Sequence, residues 1–220
     1  MQWRLLRRRA PLRSFTIVGD IAQSASTRLA ADWPTVLAGL AADFRVEQLT
    51  VNYRTPRRIA DLADAVAREH GLPITPAESV RDSDWPVFRH FVPDSASSSA
   101  AEPAAADVLH NLVAATLAAV REDRQIAATG TVAVIAPASL LDAVHQGLSG
   151  ALPEPVGAGS EGLTERVTVL TPRTAKGLEF DTAIVVAPSR IVAEEPRGAA
   201  ALYVSLTRPT QRLHLVELSP

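Results

Sequence analysis

One polar stretch, Thr171–Asp181 (TPRTAKGLEFD), concentrates side chains that can bind a polar ligand. It holds two threonine hydroxyls, the only lysine of the chain, a glycine and two carboxylates. Apolar runs at Val167–Leu170 and Ala183–Ala187 flank it, which predicts a polar connection between two buried strands. A solvated turn explains charged residues in general, but Leu178 and Phe180 within this stretch favour burial. The stretch is therefore the first candidate for a functional element.

Three further polar clusters have a similar placement, at the end of a predicted strand or helix. They are Gly19–Gln23, Asn52–Arg54 and Ser205–Arg208. The first follows a predicted strand, Ser14–Val18, and an open α/β sheet presents groups to a ligand at the ends of its strands. Arg54 lies ahead of a predicted helix in which Thr55 is the cap and Pro56 the first residue. Two arginines and a glutamine alone are weak evidence for a function. The order of the four clusters along the chain is the stronger evidence.

Strands that alternate with helices position these clusters. Apolar strands are predicted at Thr131–Ala136 and, with alternating polarity, at Gln211–Leu218, and an amphipathic helix is predicted at Ala104–Arg121. Pro188–Gly198 is predicted to be a polar loop, and the low-complexity segment 93–103 to be a mobile one. The alternation predicts an α/β fold with a three-layer parallel sheet.

Composition excludes several classes of protein and site. The 220 residues carry 22 Lys and Arg against 24 Asp and Glu, and a net charge of −2 does not indicate a nucleic-acid binder. The absence of cysteine excludes disulfides and thiolate metal sites. No apolar run approaches about 20 residues, so no membrane partner is expected and a cytoplasmic location is the default. The five histidines show no ligand spacing, so no metal site is predicted, and His90 and His214 are expected to face solvent.

Together, the four clusters resemble the motifs of one enzyme family. VGDIAQ is similar to motif III of the superfamily 1 (UvrD/Rep/PcrA-like) ATP-dependent helicases, LTVNYRT to motif IV, TPRTAKGLEFD to motif V and LYVSLTRPTQRL to motif VI. The resemblance covers nearly the whole chain, which looks like the C-terminal portion of such a helicase. The segments WRLLRRR, VGDIAQ and NYRTP resemble more narrowly the actinobacterial HelD (helicase IV-like) branch, some members of which act on RNA polymerase.

The resemblance implies roles for individual residues around an ATP and Mg²⁺ site. Arg54 and Arg208 are implied to reach the γ-phosphate, a task that suits a planar, permanently charged guanidinium. Gln23 is implied to sense the γ-phosphate and to help place the attacking water. The other residues implied at the nucleotide are Asp20, which holds that loop, Tyr53, Gly177 and, on the ribose, Glu179. Thr174 and Lys176 are implied to contact the nucleic-acid strand.

Simpler interpretations of the same residues remain open. Arg54 and Arg208 can each pair with a surface carboxylate, Glu179 can pair with Lys176, and Tyr203 is expected in the core. Three functions also remain open: a motor domain whose parent acts on RNA polymerase, a DNA-repair helicase domain that unwinds duplex DNA, and a stand-alone, non-catalytic interaction module.

Two motifs that an ATPase needs are missing from the sequence. It contains no G-x-x-x-x-G-K-[ST] loop and no acidic Walker B pair. The resemblance therefore implies a RecA-like second motor domain without its own Walker A loop at residues 46–220, preceded by a remnant of the first RecA-like domain at residues 1–45. The isolated chain is expected neither to hydrolyse ATP nor to hold ATP and Mg²⁺ tightly. Its expected partners are the first RecA-like domain of a full-length parent and either single-stranded DNA or RNA polymerase.

Overall fold

A computed structural model describes residues 5, 8–10, 14–21, 33–37, 40, 43–93 and 105–219. The helices are α1 (Trp33–Leu37), α2 (Arg57–Glu69), α3 (Ala105–Ile126), α4 (Leu141–Ala151), α5 (Pro188–Glu194) and α6 (Gly198–Leu206). The strands are β1 (Val51–Asn52), β2 (Glu78–Ser79), β3 (Phe88–Pro93), β4 (Val132–Ile135), β5 (Val156–Ala158), β6 (Val167–Leu170), β7 (Phe180–Val186) and β8 (Pro209–Ser219). Short 3-10 helices at Ala138–Leu140 and Gly159–Gly162 precede α4 and follow β5. No helix within these ranges is long and apolar enough to cross a membrane.

Six strands form one sheet in the order β3-β8-β7-β4-β6-β5, and β1 and β2 form a separate parallel pair. Every neighbouring pair of the six-stranded sheet is parallel. Parallel neighbours need crossover connections, because each chain must return to the edge where its neighbour begins. The parallel α/β sheet predicted from the alternation of strands and helices is confirmed.

Helices cover both faces of the sheet, and β4 shows how side chains divide between them. Val132 and Val134 pack in the core beside α3 and α4. Ala133 and Ile135 pack in the core beside α2, α5 and α6. All four residues are buried, which is the pattern of a strand covered on both faces. The three predicted layers are therefore present.

Three predictions about local structure are wrong. Ser14–Val18 is described but forms no strand. The predicted polar loop 188–198 begins instead with helix α5, because Ala187 takes a left-handed conformation (φ 48°) and Pro188 then starts the helix at its first turn. His214 is completely buried, because β8 lies between β3 and β7 and α3 covers its face. Most of the predicted mobile segment, 94–103, lies outside the described residues.

Candidate functional site

Arg54, Glu179 and Arg208 come from three separate segments and meet where β7 and β8 begin. Arg54 Nη1 lies 2.5 Å from Glu179 Oε1. Glu179 directly precedes β7 and Arg208 directly precedes β8, so both lie at the amino ends of these strands. The backbone N–H of Phe180 donates to the Arg208 carbonyl at 3.2 Å and joins the two segments. We call Arg54, Glu179 and Arg208 the arginine corner.

A turn ahead of α2 fixes the position of Arg54. Asn52 Oδ1 accepts hydrogen bonds from the backbone N–H groups of Arg54 and Thr55, each at 3.0 Å, as in an Asx turn. Arg81 Nη1 donates to the Arg54 carbonyl at 2.8 Å. The prediction that Thr55 caps the helix is wrong, because α2 starts after Pro56 and has no side-chain cap. The Asn52 side chain organises the turn instead.

The Arg208 guanidinium is held by backbone groups inside the domain. The residue is only 2% exposed. Its Nε donates to the Val204 carbonyl at 2.9 Å, and its Nη1 donates to the Leu178 carbonyl at 3.1 Å. Its Nη2 donates to the Thr207 hydroxyl at 3.1 Å. These bonds connect the end of α6 to the residue before Glu179, so they fix the guanidinium relative to β7.

Electrostatic interactions connect Tyr203 and Asp20 to the two arginines. Burial lowers the pKa of Arg208 to about 10, and the Arg54 charge acts in the same direction. Glu179, Tyr203 and Asp20 oppose this effect. Burial raises the pKa of Tyr203 to about 12, and the Asp20 charge is the next largest cause. Arg208 still keeps its proton at neutral pH, so two guanidinium charges lie close together at the arginine corner.

The connection between β6 and β7 starts with a turn closed by two threonines. The Thr171 N–H donates to Thr174 Oγ1 at 2.9 Å, and the Thr174 N–H donates to Thr171 Oγ1 at 3.2 Å. Thr174 and Lys176 are exposed, whereas Ala175 is buried in the core between them. Gly177 has a φ of 82°, which favours glycine, and directs the chain toward β7. Residues 171–179 thus run from the carboxyl end of β6 to the amino end of β7.

The second carboxylate of this stretch, Asp181, has a structural role. Its Oδ2 accepts hydrogen bonds from the Thr131 N–H at 2.8 Å and from the Thr131 hydroxyl at 3.1 Å. Its Oδ1 accepts a hydrogen bond from Gln211 Nε2 at 2.7 Å. Asp181 therefore ties the start of β7 to the residue before β4 and to β8, and it does not belong to the arginine corner.

The structure brings together some of the residues that the sequence singled out and separates others. Arg54, Glu179 and Arg208 form the arginine corner, and Asp20 acts on the charge of Arg208. Tyr53 adjoins the corner in sequence and is 72% exposed. Gly177 lies within the β6–β7 connection, where Thr174 and Lys176 flank the buried Ala175. Gln23 lies outside the described residues.

Sequence reasoning missed the side chains that support the arginine corner. Asn52 and Arg81 fix the Arg54 backbone, and Tyr203 lies near enough to affect the charge of Arg208. An asparagine two residues ahead of Arg54 is a local turn signal, which could have indicated its role. Arg81 and Tyr203 carry no such signal, because they approach the corner only through the tertiary fold.

The charge and hydrogen-bonding capacity of the corner fit an anionic ligand. Arg54 Nε is buried and has no hydrogen-bond partner within the described part of the chain. A buried donor without a partner, beside a second guanidinium, is suited to phosphate oxygens. The three residues of the corner do not fit a Mg²⁺ site, because their single carboxylate, Glu179, already pairs with Arg54.

Comparison with protein-family models and with curated proteins gives no match. Among solved structures, the C-terminal domain of a possible DNA helicase from Lactobacillus plantarum matches with a TM-score of 0.51 and 22% identity, over 77% of this chain and 91% of that chain. The Hef helicase domain of Pyrococcus furiosus gives a TM-score of 0.37 and 14% identity, over 50% of this chain and 25% of that chain. Xpd4 of S. tokodaii gives a TM-score of 0.29 and 12% identity, over 66% of this chain and 36% of that chain. The first match shows that this chain has the RecA-like α/β fold of a helicase C-terminal domain.

Proposed function

We propose that this chain is the second motor domain of an ATP-dependent superfamily 1 helicase or translocase. In this proposal the arginine corner faces the triphosphate of an ATP held by a first RecA-like domain of the same parent. The observation that carries the proposal is that Arg54, Glu179 and Arg208 meet at the amino ends of β7 and β8. Three separate segments, each similar to a different helicase motif, contribute these residues. The helicase-like fold supports the proposal.

The two arginines of the corner have different tasks in this proposal. ATP, bound with Mg²⁺ by the first domain, supplies the phosphoanhydride bond that is broken. Arg208 is fixed by backbone carbonyls and presents a permanent positive charge, which stabilises negative charge on phosphate oxygens. Arg54 instead pairs with Glu179, and this ion pair is exposed, at 38% and 53% of the two side chains.

An exposed pair is easily exchanged for another partner. Pairs of this kind contribute about 0–1 kcal/mol, so Arg54 can leave Glu179 for a phosphate at little cost. Glu179 is then available to accept hydrogen bonds from ribose hydroxyls. The pair seen in the structure thus fits both roles that the resemblance implies for its members.

The β6–β7 connection gives the same motor a route between ATP and nucleic acid. Glu179 ends the connection at the arginine corner, while Thr174 and Lys176 are exposed nearer its middle, on either side of the buried Ala175. We assign Thr174 and Lys176 to contacts with the nucleic-acid strand or, if the parent acts on RNA polymerase, with that protein. A displacement at one end of this short segment is then transmitted to the other.

The finer proposal is a HelD-like parent that acts on RNA polymerase, and it rests on the sequence resemblance of WRLLRRR, VGDIAQ and NYRTP. One observation favours the alternative of a DNA-unwinding enzyme. Tyr53 and Trp85 are 72% and 42% exposed, and exposed aromatic rings can stack on single-stranded bases. Binding of the parent to purified RNA polymerase core enzyme and to single-stranded DNA distinguishes the two: tight binding to polymerase with weak DNA binding is expected.

ATP hydrolysis by the longer protein tests the motor proposal. Its reading frame should continue upstream of Met1 into a P-loop domain, and the purified protein should release phosphate from ATP. Arg54→Ala and Arg208→Lys should each reduce turnover by a factor of about 10³ or more, as expected for removal of an arginine finger. The lysine variant is chosen at position 208 because the residue is buried and truncation to alanine would also remove its structural bonds.

Arg58→Ala is the matched control, because Arg58 is an exposed arginine on α2, four residues from Arg54. It should leave turnover unchanged. Wild-type turnover in folded Arg54→Ala and Arg208→Lys proteins would contradict the proposal. A frame that contains no P-loop would favour the stand-alone interaction module.

A further inference from the structure

Two histidines and a glutamate from three distant positions meet on the α3 side of the sheet. His90 lies on β3, His214 on the neighbouring strand β8, and Glu122 on α3. His90 Nε2 lies 3.1 Å from His214 Nδ1 and 3.6 Å from Glu122 Oε2. His214 Nδ1 lies 4.0 Å from the same Glu122 oxygen. Within the described residues, these three side chains are the one group whose ligand atoms all lie within 4.8 Å of one another.

We propose that His90, Glu122 and His214 form a binding site for a divalent transition-metal ion, with Zn²⁺ as the best fit. Zn²⁺ binds imidazole nitrogen and carboxylate oxygen at about 2.0–2.2 Å in tetrahedral geometry, which places neighbouring ligand atoms roughly 3.2–3.6 Å apart. The three observed separations, 3.1, 3.6 and 4.0 Å, are close to this range. Two nitrogens and one oxygen are also a set that Mg²⁺ disfavours and Zn²⁺ accepts.

The two rings must rotate out of their present hydrogen bond to bind the ion. Their planes are 12° apart and their centroids 5.4 Å apart, so the nitrogens now point toward each other and share one hydrogen bond. The lone pairs of His90 Nε2 and His214 Nδ1 must both turn toward the ion, which would lie beside the line that joins the two nitrogens. His90 can turn because its side chain is 19% exposed and it lies on an edge strand. Glu122, at 44% side-chain exposure, leaves access for the ion and for a water as fourth ligand.

The surroundings of His214 match those of a histidine that binds metal. Its second nitrogen, Nε2, is buried without a hydrogen-bond partner in the part of the chain that the structure describes. The nearest carboxylate oxygen, Asp123 Oδ1, lies 3.8 Å away. A metal on Nδ1 fixes the proton on Nε2, which then faces Asp123, and such a carboxylate behind a ligating histidine orients the ring. Arg212 and Thr182 hold Asp123 in place through hydrogen bonds of 2.6 and 2.8 Å.

The cluster lies where β3, β8 and α3 meet. The ion would join β3, β8 and α3 and so stabilise an edge of the sheet. This face is opposite to α2 and α6, so the site is separate from the arginine corner.

Titration of the full chain, without an affinity tag and after removal of metals with EDTA, tests the proposal. Isothermal titration with ZnCl₂ should show one ion per chain, and ZnCl₂ should raise the Tm, whereas MgCl₂ at the same concentration should not. Co²⁺ in place of Zn²⁺ should give the visible absorption of a tetrahedral centre. His90→Gln and Glu122→Gln should each weaken Zn²⁺ binding by about 10-fold or more, with loss of the Tm shift.

His110→Gln is the matched control, because it removes an exposed histidine on α3 away from the cluster, and its Zn²⁺ affinity should equal that of the wild type. Circular dichroism in EDTA shows whether each variant is folded, and buried His214 is left unchanged for this reason. Absence of a one-to-one complex, or wild-type Zn²⁺ affinity in both folded site variants, would overturn the proposal.

Discussion

Two arginine–carboxylate pairs of this fold have nearly the same separation and very different surroundings. Arg54 and Glu179 are 2.5 Å apart, with 38% and 53% of their side chains exposed. Arg212 and Asp123 are 2.6 Å apart, with 4% and 1% exposed. The buried pair has further bonds, since Asp123 accepts the Thr182 hydroxyl at 2.8 Å and Arg212 donates to Gln211 at 3.2 Å. In the exposed pair, water competes for the hydrogen-bonding groups of Arg54 and Glu179.

The difference shows that the distance between two charges does not define their role. A buried pair whose other bonds are satisfied is expensive to break, because the remaining charge stays out of water. An exposed pair can exchange partners, because water and ions solvate either member. Arg212–Asp123 is therefore suited to holding α3 on β8, and Arg54–Glu179 is suited to releasing an arginine to a ligand.

The largest expected effect is on the buried pair. Asp123→Ala should lower the free energy of unfolding by about 3–5 kcal/mol, since Arg212 is left buried without its carboxylate. Urea denaturation of the purified chain, followed by circular dichroism, measures this loss. Glu179→Ala is the control on the exposed pair and should cost no more than about 1 kcal/mol. Equal losses in the two variants would remove the distinction between the pairs.

An intermediate effect is expected at Asp181, two residues after Glu179. Asp181→Ala should destabilise the chain by roughly 1–3 kcal/mol, because the Thr131 N–H and the Gln211 amide each lose an acceptor. The same denaturation experiment gives the value. A loss no greater than that of Glu179→Ala would show that Asp181 does not tie the start of β7 to its neighbours.

A smaller effect is expected for the direct interaction between Arg54 and Glu179. A double-mutant cycle with Arg54→Ala and Glu179→Ala should give a coupling energy below about 1 kcal/mol. The coupling should decrease when salt is raised from 0.1 to about 1 M, because salt screens exposed charges. A coupling of several kcal/mol that salt does not change would mean that the pair is locked, and would argue against exchange of Arg54 to phosphate.

The smallest effect on stability is expected from a change in pH, through the protonation of His90. Its pKa in the folded chain lies below the ordinary value of 6.5, so the unfolded chain binds more protons as the pH falls. Stability should therefore decrease from pH 7.5 to pH 5.5 in the presence of EDTA. His90→Gln should reduce this dependence, and His110→Gln should retain it. If stability increased toward pH 5.5, or if its dependence on pH were unchanged in His90→Gln, His90 would not be the cause of that dependence.

The architecture could be predicted because it depends on local patterns. Apolar strands such as Val132–Ile135 and helices such as Arg57–Glu69 alternate along the chain, and this alternation alone specifies parallel pairing. The arginine corner was partly accessible through its resemblance to known motifs. Asn52 could have been recognised from turn chemistry, whereas Arg81 approaches Arg54 only after the chain has folded back.

The histidine cluster could not be predicted, since its members are far apart in sequence. The alternation in residues 211–218 suggests a solvent-facing side for β8, but α3 covers that side. Polar residues of β8 therefore become buried partners of Glu122 and Asp123. Helix α5 was missed for a different reason: Pro188 and the acidic residues near its end resemble a loop, although proline is favourable in a first helical turn.

The connection between β6 and β7 has a consequence for how this segment tolerates changes in length. It spans only residues 171–179, fewer than the dozen or so that parallel crossovers usually need, and β4 lies between the two strands it joins. Ala175 is anchored in the core at its middle. Inserting or deleting a single residue would therefore displace Glu179 relative to Arg54. Homologous proteins that keep this pair should keep the segment at constant length, even where its exposed residues differ.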